Sequence, residues 1–268
     1  MRRRLFMRAS AAAPLALAAL PATAQAPSGG GKIYVLVHGS WVGGWFWAPV
    51  AEQLRSQGHR VFTPTQTGLG ERKHLLSRDV TLDTFVVDLV NVIEAEELRD
   101  VILVGHSSAG APITGVADRM PERIRHLVYL DAFVLQNGQS SYSTMSPEVR
   151  EARRKATQEI NDVSVLPPPL GALGSLGVSE GPVADWLRRR MTPQPVAVYE
   201  TPLRLDNPVG NGRPCTYVAF TSPAFAAPEP SRRWARNQEG WHWAELAAGH
   251  AAPVLVPDKV VQLLAGIG

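Results

Sequence analysis

The stretch Val101-Ile102-Leu103-Val104-Gly105-His106-Ser107-Ser108-Ala109-Gly110 ends an aliphatic run in a serine flanked by very small residues. A buried strand presents a nucleophile in this way, on a sharp turn that leads straight into a helix. The turn strains the serine backbone, and strand and helix cross closely around it, so the residues two before and two after must be small. Gly105 meets that requirement in full, while Ala109 carries one methyl more than the usual glycine. Taken alone, Gly-x-Ser-x-small is a degenerate pattern that a glycine-rich turn before a helix also satisfies.

Two other segments add weight. Ile33-Tyr34-Val35-Leu36-Val37-His38-Gly39-Ser40-Trp41 is a second apolar run, ending in His-Gly, and Ala247-Ala248-Gly249-His250 follows the strand-like residues 241–246. Oxyanion loop, nucleophile and histidine then fall in the order of an α/β-hydrolase. On these residues the chain resembles the α/β-hydrolase-fold serine esterases of the plant methylesterase and hydroxynitrile lyase family, in a bacterial branch. The resemblance also rests on Val42-Gly43-Gly44-Trp45-Phe46-Trp47, Gly58-His59-Arg60-Val61, Thr67-Gly68-Leu69-Gly70-Glu71-Arg72 and Leu127-Val128-Tyr129-Leu130-Asp131-Ala132-Phe133. It runs from about Lys32 to the end and is poor over residues 137–213. It implies an α/β-hydrolase fold and says little about the substrate.

At 268 residues, 45% of them hydrophobic, the chain can bury one large core, with or without a cap. Its pI of about 9.2 invites a nucleic-acid reading. That reading fails, because Arg2, Arg3, Arg4 and Arg8 lie in the first eight residues. Without them Lys+Arg falls from 27 to 23 against 24 Asp+Glu, and the net charge from +3 to −1. The body therefore carries no basic stripe. Those arginines, an alanine-rich apolar run over residues 11–20 and Ala22-Thr23-Ala24 form the three parts of an export signal, expected over residues 1–24. Arg3-Arg4-Leu5-Phe6-Met7-Arg8 is similar to a twin-arginine signal, which implies a periplasmic or secreted protein. The apolar run is too short for a permanent membrane span. The single cysteine, Cys215, permits no internal disulfide and reads as a buried structural thiol.

Strand-like runs alternate with helical patterns, as in a mainly parallel sheet covered by helices on both faces. Strands are expected at residues 33–37, 60–63, 101–104, 124–130, 215–220 and 241–246. Helices are expected at 47–57, 81–97 with Thr81 as cap, 108–120, 231–238 and 257–264. Between residues 132 and 213 the alternation stops, with patchy helices only at 147–159 and 182–191. A structureless loop of that length is implausible. The domain reading is a core of residues 32–131 and 214–268 with a helical cap, 132–213, inserted over the strand C-termini.

Acyl transfer by serine needs a base, an acid that orients the base, and donors for the oxyanion. Ser107 is the expected nucleophile. His250, in a Gly-His loop after a strand, is the expected base, and the other histidines read as turn, strand or loop residues. In the resembling plant esterases an aspartate follows the strand matching residues 215–220, but here that loop reads Thr221-Ser222-Pro223-Ala224-Phe225, and proline cannot orient an imidazole. Asp131, ending the preceding core strand, is the expected acid, with Glu229 as the alternative and a dyad without acid as a third reading. Backbone N–H groups of Ser40 and Ser108 are the expected oxyanion donors. Trp41, Phe133 and Trp186 are candidate pocket residues, in a setting that suits a small hydrophobic or aromatic ester or lactone.

Two competing functions stand beside the esterase. The lyases of the resembling family place a threonine in the His-Gly loop and a lysine after the histidine; here those places hold Gly39 and Ala251. A non-catalytic binding protein on a hydrolase body would account for Ala109 and Pro223 but not for Ser107 and His250. No metal-ligand or dinucleotide motif is present in the sequence, so no cofactor is called for. The expected partner is a small-molecule ester, with a homodimer left open.

Overall fold

The computed structural model describes residues 30–268, so the expected export signal lies outside the described residues. In chain order the strands are β1 (Ile33–Val37), β2 (Arg60–Phe62), β3 (Val101–His106), β4 (Ile124–Leu130), β5 (Gln158–Ile160), β6 (Val163–Leu166), β7 (Gln194–Pro195), β8 (Cys215–Phe220) and β9 (Trp241–Leu246). The helices are α1 (Ala48–Ser56), α2 (Leu82–Ala95), α3 (Gly110–Arg119), α4 (Pro147–Ala156), α5 (Pro182–Arg190), α6 (Ala197–Glu200), α7 (Glu229–Arg236), α8 (Ala252–Leu255) and α9 (Pro257–Ala265). Six strands pair in parallel in the order β2-β1-β3-β4-β8-β9.

Successive strand residues face opposite sides of a sheet. Val35, Val37, Leu103 and Tyr129 therefore join Val86, Leu89 and Ile113 of α2 and α3 in one core. Tyr34, Leu36, Val104 and Val128 join Val50 and Leu54 of α1 and Val260 and Leu264 of α9 in the other. Burial on both faces explains why β1 and β3 read as continuous apolar runs rather than as alternating ones. Helix α2 starts as expected after Thr81, whose backbone N–H donates to Thr84 Oγ1 at 3.1 Å.

The register carries several strand ends to one edge. Val37 lies opposite Gly105, His106 opposite Leu130 and Leu130 opposite Val218. The chain leaving β1, β3 and β4 at those levels supplies Ser40, Ser107 and Asp131. This is where open parallel sheets place their sites.

Residues 132–213 depart from a purely helical cap. They carry α4, α5 and α6, but also a three-stranded antiparallel sheet, β5-β6-β7. The β5–β6 hairpin turns at Asn161-Asp162, both with positive φ (48° and 61°), the pair of left-handed residues that two-residue hairpins favour. Two apolar clusters hold this region down: Phe133, Tyr142, Leu166 and Tyr199 in one, and Leu173, Leu176 and Leu187 with Val42 and Phe46 in the other.

Candidate active site

Ser107 closes β3 with φ 56°, a left-handed backbone that a side-chain-bearing residue rarely adopts. Ser107-Ser108-Ala109 then form a short helical turn into α3. The small residues are needed where strand and helix cross. A Cβ on Gly105 would meet Ala109 O at 2.8 Å, and one on Gly110 would meet Phe133 O at 2.1 Å. Ala109 itself is buried and accommodated. After the serine, the residue that cannot carry a methyl is thus Gly110, three positions on rather than two.

His250 reaches Ser107 from the loop after β9. That loop is tied to its neighbours by Ser222 N–H to Ala248 O at 3.1 Å and Ala251 N–H to Leu176 O at 3.0 Å. Ser107 Oγ and His250 Nε2 are 2.9 Å apart, and His250 Nδ1 and Asp131 Oδ2 are 2.7 Å apart. Nδ1–H donates to the carboxylate, leaving Nε2 to accept from the serine hydroxyl.

Asp131 is fully buried and also has positive φ (47°). Its other oxygen, Oδ1, accepts from Arg232 Nη2 at 2.6 Å, Arg232 Nε at 3.0 Å and Phe220 N–H at 3.2 Å. Burial pushes the carboxyl up. The hydrogen bond and charge of His250, with the charge and hydrogen bonds of Arg232, outweigh it and hold the group below the usual carboxylate range. Glu229 sits elsewhere: at the start of α7, half-exposed, accepting from Arg232 Nη1 at 3.3 Å. It therefore stands behind Arg232, and the alternative placement of an acid at Glu229 is corrected. The loop after β8 brings Phe225 rather than a carboxylate to the imidazole, whereas β4 ends beside it with Asp131.

The remaining histidines include one whose role is not apparent from sequence. His106 Nε2–H donates to the His250 carbonyl at 2.8 Å, and its ring lies between those of Phe46 and His250, with centroids 5.4 and 4.6 Å away. Burial, aided by His250, lowers its pKa to about 3, so the ring is neutral and fixes the backbone of the histidine loop. His38 is structural, as expected. Its Nδ1–H donates to Gly39 O at 2.8 Å, Nε2 accepts from Gln66 N–H at 3.0 Å, and burial brings its pKa down to about 4. Cys215 is buried in β8 with its thiol pushed up to about 12, which leaves it inert.

Ser40 and Ser108 lie beside the nucleophile. Ser108 is the second residue of its helical turn, so its N–H has no carbonyl within that turn to bond. Their hydroxyls join, Ser40 Oγ–H to Ser108 Oγ at 2.9 Å, and Tyr199 OH hydrogen-bonds Ser40 Oγ. The pocket over Ser107 is lined by Trp41, Phe46, Phe133, Leu176, Leu187, Phe225 and others, with Arg153 and Tyr199 as its polar wall. Trp186 is corrected: it does not line this pocket. Its ring packs edge-on to Trp45 at 4.8 Å under Arg190, beside a separate surface cleft. Residues along a helix are about 100° apart, and in α5 it is the next one, Leu187, that faces the serine.

Together, the six-stranded parallel sheet, the strained serine turn and the terminal histidine loop define a hydrolase. The model of the alpha/beta hydrolase family matches residues 34–263, and the chain belongs to that family. Among its relatives is a carbendazim hydrolyzing esterase of Nocardioides sp. (strain SG-4G), 40% identical over 88% of this chain and 99% of the relative. Methylesterase 9 of Arabidopsis thaliana is 36% identical over 38% of this chain and 41% of its own length. An extracellular alpha/beta-hydrolase from a Paenibacillus species superposes with TM-score 0.74 at 25% identity, covering 88% of this chain and 99% of that one. Among the described residues no helix is long and apolar enough to cross a membrane.

Proposed function

We propose that this enzyme hydrolyses a small hydrophobic or aromatic carboxylic ester or lactone through an acyl-enzyme on Ser107, with His250 as base and Asp131 as the orienting acid. One observation carries the reading: His250 lies within hydrogen-bond distance of both the Ser107 hydroxyl and the Asp131 carboxylate. Ser107 Oγ attacks the ester carbon while Nε2 takes its proton. The N–H groups of Ser40 and Ser108 receive the oxyanion, and Nε2 then returns the proton to the leaving alcohol. Water repeats the sequence to release the acid. Asp131 keeps Nδ1 protonated and stabilises the imidazolium without taking its proton.

Ester hydrolysis also agrees with the esterase among the chain's relatives. The lyase reading is disfavoured, because a Cβ at Gly39, where the lyases carry threonine, would meet Ser107 Cβ at 2.8 Å. Ser107→Ala should lower kcat by several orders of magnitude with the fold intact. Assay on p-nitrophenyl esters of graded chain length checks this, and a variant keeping more than about a tenth of the activity would end the proposal. The N-terminal pattern supports export by the twin-arginine route. The mature protein should begin at Gln25 by mass spectrometry, and a mature pool beginning at Met1 would refute export.

A further inference from the structure

The pocket over Ser107 has a polar feature that ester hydrolysis does not use. Arg153 projects from α4 into its wall, and no carboxylate lines the pocket with it. Its guanidinium lies over the Tyr199 ring, 5.0 Å from the centroid, and its Nη1 is buried without a hydrogen-bond partner among the described residues. Tyr142, stacked on the other aromatic at 5.5 Å and 16°, also buries its hydroxyl without a partner. Of the two, Arg153 lines the chamber, so one charged donor is held without a partner in its wall. A buried donor left unmade is costly, most of all a charged one. Stacking on Tyr199 also fixes the planar fork before anything binds. Arg153 and Phe225 line an outer groove too, with Thr144, Met145 and Ala226, so together they form the neck between groove and serine.

We propose that Arg153 is a specificity-determining residue that donates to an oxygen of the substrate, a carboxylate or carbonyl remote from the ester being cleaved. The inference rests on the Ser107 pocket being the ester site. It names the substrate class more narrowly: esters that carry a second planar acceptor. The fork donates to that oxygen while Ser40 and Ser108 hold the reacting one, so substrate length between the two groups is measured by the distance from neck to nucleophile. A purely alkyl ester fills the chamber but leaves Nη1 unpaired.

The test uses methyl half-esters of succinate, adipate and suberate, each paired with its methyl-ketone analogue and its isopropyl analogue of equal shape. In the wild type, kcat/KM at the best length should favour the carboxylate and ketone over the isopropyl ester by about 10- to 100-fold. Arg153→Met should collapse that ratio toward unity. Arg153→Lys, which keeps the charge and loses the fork, should retain more of the carboxylate preference than of the ketone preference. Arg154→Met, on the exposed side of α4, should leave the ratio alone. No acceptor preference in the wild type overturns the inference, as does an Arg153→Met variant that slows all three esters equally. If Arg153→Met does not fold, the wild-type ratios and Arg153→Lys decide. Loss of all ester turnover in the wild type would instead end the parent reading, and hydrolysis of the isopropyl esters alone would end only this one.

Discussion

Asp131 and Glu229 differ in what they touch, and that difference is testable at single residues. Asp131 meets the imidazole at 2.7 Å, and Glu229 reaches only the rear of Arg232 at 3.3 Å. Asp131→Asn keeps the shape but loses the charge and offers a donor where an acceptor is needed. It should lower kcat by about 10²–10⁴. Glu229→Gln removes a half-exposed partner of a guanidinium that still has Asp131, so it should cost less than about tenfold. Steady-state kinetics of the two variants, with circular dichroism to verify folding, checks the ranking, and the reverse order would move the acid to Glu229. The sequence made this geometry legible for a simple reason: proline at position 223 removed the usual carboxylate and left one aspartate at a neighbouring strand end. Arg153 was not legible, because within Arg150-Glu151-Ala152-Arg153-Arg154-Lys155 it reads like any solvated helix charge. Only the stacking on Tyr199 distinguishes it.

Among the elements, the turn from β3 into α3 sets the precision of the site. Phe133 N–H donates to Ser107 O at 2.9 Å, so the chain after β4 is fastened to the nucleophile's own peptide. Gly110 lies under the carbonyl of that same Phe133. Gly110→Ala would push a methyl to 2.1 Å from the oxygen, and backbone would have to move. The expected loss is about 1–3 kcal/mol of stability, with a fall in kcat, whereas Ala109→Gly should cost no more than about 1 kcal/mol. Urea unfolding of the two variants is the measurement, and equal midpoints would contradict the argument. The inner strands were readable because burial on both faces makes them plainly apolar, and β8 falls at residues 215–220 as the sequence reads; the edge strand β9 also falls at its expected residues, 241–246, although none of them is buried. The small sheet was not readable. Gln158-Glu159-Ile160 is exposed throughout and β7 is two residues long, so neither carries a period. Its one available signal was the Asn-Asp turn.

For the whole molecule, three buried, neutral histidines make stability depend on pH. Burial brings His38 and His126 down to about 4 and His106 down to about 3 in the folded protein, because it disfavours their charged forms. In the unfolded chain each binds its proton near the ordinary value of about 6.5. Below that value the unfolded state holds more protons than the folded one, so acid favours unfolding. Their contribution is therefore complete above about pH 6.5. It declines as pH falls toward 4 for His38 and His126 and toward 3 for His106, by about 1.4 kcal/mol per pH unit for each ring. Asp131, held below its usual range, adds the same sign of loss at lower pH, as it protonates. Thermal melts from pH 7 to pH 5 should show Tm falling in the wild type. A flat profile over that interval would mean that these rings are not held neutral by burial.

The position of Asp131 has a consequence for how this chain can change. With Asp131 as the proposed acid at the end of β4, residues 221–228, which carry no carboxylate, have no proton to manage. The loop still approaches the reacting groups, since the Phe225 ring lies 4.4 Å from that of His250 and Phe225 also forms the neck of the pocket. In an enzyme whose acid sits in that loop, insertions there put the chemistry at risk. Here the loop's exposed positions, such as Ala224 and Ala226, can vary around a fixed Ser222 and Phe225, which makes them a natural place for evolution, or an engineer, to retune which esters are admitted.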